Sequence, residues 1–114
     1  MKKDKILITG GAGFVGSNLI NFFINNTSYK IISLDNYSSG KKKNHLKNSR
    51  IRYINGDTKN IEKFFRNTDR IHSIFHFGEF ARIYQSFIHM EDCLNSNSIG
   101  TNAVFKFCLK NKIK

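Results

Sequence analysis

The chain has 114 residues, enough for one small domain with a single core. Lys and Arg number 19 against 8 acids, a formal net charge of +11, but the basic residues are scattered rather than gathered in one arm. That charge permits contact with anionic surfaces and does not by itself point to nucleic acid, which would need aromatic and basic side chains sharing one face. No apolar run approaches the ~20 residues that span a bilayer, and the first residues lack an apolar signal core followed by a small-residue cleavage site. Cys93 and Cys108 form no CxxC pair, which argues against a metal or redox motif and for free thiols in a reducing cytosol.

In chain order, Ile6 to Thr9 reads as a strand buried on both faces. Gly10-Gly11-Ala12-Gly13-Phe14-Val15-Gly16 follows, and then a helix starts near Phe14, with Val15, Leu19, Phe22 and Phe23 as its expected sheet-facing positions. Asn25 to Ser28 ends that helix. Tyr29 to Leu34 is a second strand, closed by Asp35. Strand, glycine turn, helix and acid-tipped strand are the parts of a dinucleotide-binding βαβ unit, here with glycines spaced GxxGxxG. Gly10 suits a turn with positive φ, Gly13 lets backbone approach a pyrophosphate, and Gly16 lets the helix lie close to the sheet. A carboxylate at position 35 accepts hydrogen bonds from adenosine ribose hydroxyls and repels a 2′-phosphate, which favours NAD over NADP. Its plain alternative is a loop Asp capping a turn. Lys41 to Lys43 lie in the next loop, where they could attract a phosphate or simply be solvated.

Ile51 to Ile54 reads as a third strand, and Asp57 after it falls where an adenine edge would sit. Asp57 or Thr58 is equally suited to cap the short helix expected over Ile61 to Arg66. Ser73 to Phe77 is a fourth strand and Gly78 its end. Glu79 follows as a candidate polar site residue or an ordinary surface acid. A last helix is expected from about Asp92 to Lys112, with Ile99, Ala103, Phe107 and Leu109 as apolar positions of only rough periodicity. These elements predict an α/β, Rossmann-type doubly wound parallel sheet, partial, with about four strands in the order 3-2-1-4.

Five ordered segments carry a resemblance: Thr9 to Leu19, Leu34-Asp35-Asn36, Gly56-Asp57, Phe75-His76-Phe77-Gly78 and Asn97-Ser98-Ile99-Gly100-Thr101. Together they resemble the N-terminal part of an extended short-chain dehydrogenase/reductase of the NAD-dependent sugar epimerase/dehydratase family, UDP-glucose 4-epimerases among them. The resemblance implies that Gly10, Gly13, Phe14, Val15 and Gly16 hold the pyrophosphate turn. It implies further that Asp35 and Asn36 bind the adenosine ribose, and that Asp57 with Thr58 holds adenine. Phe77, Gly78 and Glu79 would line the cofactor beyond strand four, and Asn97 would match a family Asn behind the site. The family commonly has Ala-Ala where Gly78-Glu79 stands here.

The family's Tyr-x-x-x-Lys pair lies beyond the next strand, past Lys114. Tyr37 and Lys41 meet the spacing but fall at the adenosine end, so no catalytic residue is expected in this chain. The resemblance therefore implies the cofactor-binding part of a nucleotide-sugar enzyme, with residues 1–114 inactive alone and nucleotide-sugar substrate engaged only in a complete enzyme. A basic nucleotide- or nucleic-acid-binding module and a non-catalytic structural remnant are the other classes. An open fourth-strand edge through Ile74, Phe75 and Phe77 would invite self-association.

Overall fold

The computed structural model describes residues 2–66, 69–78 and 90–114. Four parallel strands form one sheet in the order β3-β2-β1-β4, as the alternating pattern predicts. They are β1 (Lys5–Thr9), β2 (Lys30–Asp35), β3 (Ile51–Asn55) and β4 (Ile71–His76). Helix α1 (Phe14–Asn26) follows β1, and a single helical turn, α2 (Ile61–Phe64), follows β3. After β4 come α3 (Met90–Leu94), a π-helical stretch (Asn95–Gly100) and α4 (Thr101–Asn111). Among the described residues no helix is long and apolar enough to cross a membrane.

The period-2 alternation of the strands divides the core in two. Ile6, Ile8 and Ile31 meet Ile20 and Ile24 of α1 on one face. Leu7, Ile32, Leu34 and Ile71 meet Ile61, Phe65, Val104 and Phe107 on the other. The β1–β4 register slips between Lys5 and Ile6, so that Ile71 and Ile74, three apart, pack against the same cluster. Arg50 fastens the first half of the fold. Its guanidinium donates to the carbonyls of Ile24, Thr27 and Tyr29, supplying a cation to the C-terminal end of α1.

Two helices present different faces from those their sequences suggested. On α1 the buried positions are Gly16, Ile20 and Ile24, flanked by half-buried Leu19 and Phe23, whereas Val15 and Phe22 stand exposed. Gly16 sets this rotation: a Cβ there would lie 2.2 Å from the Gly10 carbonyl oxygen, so this is the point at which the helix touches the turn. On α4, Val104 and Phe107 are buried, while Leu109, and Ile99 in the π-helical stretch before it, are exposed. The π-helical stretch carries about one extra residue per turn and shifts the phase of the helix ahead of α4.

Strand β4 is the edge strand of the described sheet, but its apolar side chains are not bare. Ile74 packs into one cluster, and Phe75 lies 5.4 Å from the Phe23 ring on the other face. Phe77 lies just past the strand and is partly exposed. Lys112 adopts the left-handed conformation after α4, and the chain then returns so that the Lys114 carbonyl accepts from Ile74 N at 2.6 Å.

Candidate functional site

The carboxyl ends of the strands carry a cleft bounded on one side by the glycine turn and on the other by Phe77 and Gly78. Gly10 has φ +74, and a Cβ there would sit 2.7 Å from the Phe77 carbonyl oxygen. Handedness and space thus both require glycine where the turn after β1 meets the backbone after β4. Gly13 precedes α1, its amide donating to Gly10 O at 3.1 Å. It supplies no side-chain cap, and the first turn of α1 holds no acid. The helix therefore brings uncompensated backbone amides and the positive end of its dipole to the cleft, an arrangement suited to an anion.

Asp35 forms the floor beside this turn and is only 8% exposed. Ala12 N donates to one carboxylate oxygen at 3.0 Å and Tyr37 N to the other at 2.8 Å. The loop after β2 folds back over it. Lys41 N and Asn44 Nδ2 both donate to Ala12 O, at 3.0 and 2.8 Å. Gly40 passes so near that a Cβ would come within 2.6 Å of the Asp35 carboxylate. Asn36 bridges two strand ends, its side-chain amide donating to Asp57 at 2.7 Å and its carbonyl oxygen accepting from Ser38 N at 2.9 Å. Asp57 makes no side-chain cap to the short helix that follows, so its carboxylate serves Asn36 instead.

Gly10, Gly13, Asp35, Asn36, Thr58, Phe77 and Gly78 are thus brought together around one cleft. Gly16 is buried beneath the turn, and Phe14 and Val15 stand exposed at its outer rim, Phe14 by 82%. Asn97 lies on the π-helical stretch with its side chain exposed and does not line this cleft. Glu79 falls outside the described residues. Ser38, Ser39 and Gly40 line the cleft without having been singled out from sequence. The signal available was their place directly after an acid-tipped strand, in a run of small residues able to wrap a ligand.

Tyr37 holds φ +61, and its hydroxyl lies 2.7 Å from His45 Nε2. The His45 ring stacks on Tyr53 at 3.7 Å. Burial, and then the Asp35 carboxylate and Tyr53, push the Tyr37 phenol above its ordinary pKa. That shift is opposite to what a phenol needs to act as a base near neutrality. The Lys41, Lys42 and Lys43 side chains are exposed. The Tyr37 hydroxyl is thus partnered by His45, and the Lys41 side chain at the Tyr-x-x-x-Lys spacing is exposed.

Comparison with known proteins agrees with this architecture. The profile of the NAD dependent epimerase/dehydratase family matches residues 6–114. An ADP-L-glycero-D-manno-heptose-6-epimerase of Brachyspira hyodysenteriae is 29% identical over 112 residues, covering 96% of this chain and 35% of its own. The crystal structure of the UDP-glucose 4-epimerase of Thermotoga maritima with UDP-glucose superposes with a TM-score of 0.85 at 30% identity, over 96% of this chain and 35% of that one. The Bordetella bronchiseptica enzyme WbmG, solved in complex with NAD, superposes with a TM-score of 0.81 at 26% identity, over 96% of this chain and 35% of its own. The chain thus spans about a third of the length of these relatives, and it belongs to the NAD dependent epimerase/dehydratase family.

Proposed function

We propose that this chain binds NAD in the cleft between the glycine turn and Phe77–Gly78, as the cofactor-binding part of a nucleotide-sugar epimerase or dehydratase. The observation that carries the reading is the Asp35 carboxylate, fixed by two backbone amides beside an uncompensated helix start. Each carboxylate oxygen accepts one amide and keeps capacity for a ribose hydroxyl. A 2′-phosphate at the same place would meet a fixed negative charge in a poorly solvated corner. The residues present fit the group. Glycines stand where a Cβ would collide with backbone, the helix start suits the pyrophosphate, and Asp35 with Asn36 suits the ribose. Thr58, buried, and Asp57, tied to Asn36, flank the adenine end.

When bound, the dinucleotide supplies a hydride acceptor. What these residues do is hold and orient it. In this reading the described residues carry no acid–base pair for sugar chemistry, and turnover of a nucleotide sugar requires polypeptide beyond them. The Tyr37–Lys41 pair supports this, because it lies at the ribose end with its phenol pushed upward.

Titration of the purified chain with NAD and NADP tests the assignment. NAD is expected to bind at least tenfold more tightly. Asp35→Asn keeps the size of the side chain but removes the charge and turns one backbone amide against an NH₂ group. It should weaken NAD at least tenfold, in line with about 1.5–3 kcal/mol for a hydrogen bond to a charged group, and should narrow the preference over NADP. Equal affinity for the two dinucleotides, or tighter NADP, would overturn the reading. Turnover of UDP-, GDP- or dTDP-sugars by the 114-residue chain would overturn its second half.

A further inference from the structure

Three side chains connect the cleft wall to α4. Gly78 N donates to Thr9 Oγ1 at 2.9 Å. Thr9 Oγ1 lies 2.6 Å from His76 Nδ1, and His76 Nε2 lies 2.9 Å from Thr101 Oγ1, the first residue of α4. Thr9 is fully buried at the tip of β1, and its own carbonyl accepts from Phe77 N at 3.0 Å. One residue thus receives both backbone amides of the Phe77–Gly78 wall, one on its main chain and one on its side chain. The next residue, Gly10, has no room for a Cβ against the Phe77 carbonyl. The glycine turn and the opposite wall therefore share Thr9 as their common support.

A threonine hydroxyl can accept from Gly78 and still donate its own proton. Donors and acceptors match at Thr9 when its hydroxyl proton goes to an unprotonated His76 Nδ1, a tautomer assigned from these two hydrogen bonds. Its effect is to fix the rotamer of a fully buried hydroxyl. A threonine that turned away would release the Gly78 amide into the cleft.

We propose that Thr9, His76 and Thr101 form a positioning relay in which His76, seated on Thr101, fixes the Thr9 hydroxyl and so holds the Gly78 amide out of the dinucleotide cleft. His76 acts here through Thr9 and touches no ligand. The proposal rests on the cleft being a dinucleotide site, and its test separates the two claims.

Two substitutions at one position divide the relay. The Asn side chain of His76→Asn places a polar atom near the Nδ1 position and falls short of Thr101. The Gln side chain of His76→Gln reaches toward Thr101 and leaves the Nδ1 position without an acceptor. Both should lower the melting temperature. NAD affinity should stay within twofold of the parent in His76→Asn and fall fivefold or more in His76→Gln. Thr9→Val, which keeps the shape and removes the hydroxyl, should lose at least tenfold, and Thr9→Ser should recover most of it. In the unliganded protein, hydrogen exchange at the Gly78 amide should be protected in the parent and in His76→Asn, and fast in His76→Gln and Thr9→Val.

Equal affinity losses in His76→Asn and His76→Gln would show that only stability is at stake and would overturn the relay. So would unchanged Gly78 exchange in Thr9→Val. If Thr9→Val does not fold, the two position-76 variants decide. Absence of NAD binding by the parent would defeat the dinucleotide reading, and the Gly78 exchange pattern alone would then uphold or overturn the relay.

Discussion

The two faces of the sheet are held by different means. On the α1 face the decisive contact is backbone on backbone, with Gly16 of the helix against Gly10 and Gly11 of the turn. On the α4 face large side chains fill the gap, with Phe107 against Phe65, ring centroids 6.2 Å apart, and Val104 beside them. A contact without side chains has no slack, so it fixes distance. A contact through aromatic rings removes much apolar area from water, so it supplies stability. The glycine turn that bounds the cleft is set by the first kind of contact, and the larger hydrophobic cluster is built from the second.

Breaking the α4 face should have the largest effect on folding. Phe107→Ala leaves a cavity at a position 1% exposed and should cost about 3–5 kcal/mol. Chemical denaturation of the variant would read this directly. The molecules that remain folded, measured with stabilising osmolyte, should keep their dinucleotide affinity within severalfold. Affinity lost in proportion to stability would erase the distinction between the two faces.

Gly16→Ala tests the α1 face. The new Cβ would meet the carbonyl oxygen and carbon of Gly10 and the Cα of Gly11, all backbone, so no side chain can move to make room. A cost of about 1–3 kcal/mol is expected, with a loss of NAD affinity larger than that of Phe107→Ala despite the smaller loss of stability. Calorimetric titration beside a melting curve would show whether the two orders are reversed in this way.

The smallest effect is expected at Leu109, 81% exposed on α4. Leu109→Gln should shift stability by no more than about 0.5 kcal/mol. A larger loss on denaturation would mean that this side chain is covered in solution, since Leu109 borders an apolar groove with Ile74, Phe105 and Ile113.

The same contrast governs how much could be read from the residues alone. The glycine turn was legible because its chemistry is local: positive φ and close approach demand glycine at set positions, and the strand order follows from alternating strand and helix signals. The exposed Phe22 and the buried Ile20 were not separable by apolar character. Their assignment depends on the rotation imposed by Gly16 against a residue of the turn, which is a tertiary fact. Asp57 read equally well as a cap or a cleft residue, and only the approach of Asn36 from another strand decides what its carboxylate holds. His76 carried no visible role because its partners lie 67 and 25 residues away in sequence.

A helix containing a π-helical stretch holds more residues than the same length of α-helix. The run from Met90 to Asn111 therefore has a surplus at Asn95–Gly100 and none in Thr101–Asn111. Deleting one residue from Asn95–Gly100 would let the hydrogen-bond ladder close as ordinary α-helix, with Val104 and Phe107 still docked on the sheet. The preceding turn, Met90–Leu94, would swing by about 100°. The same deletion a few residues later, between Val104 and Phe107, would carry Phe107 off the core. Over evolutionary time, changes of chain length in this helix should collect at that one stretch and be excluded from the turns that follow it.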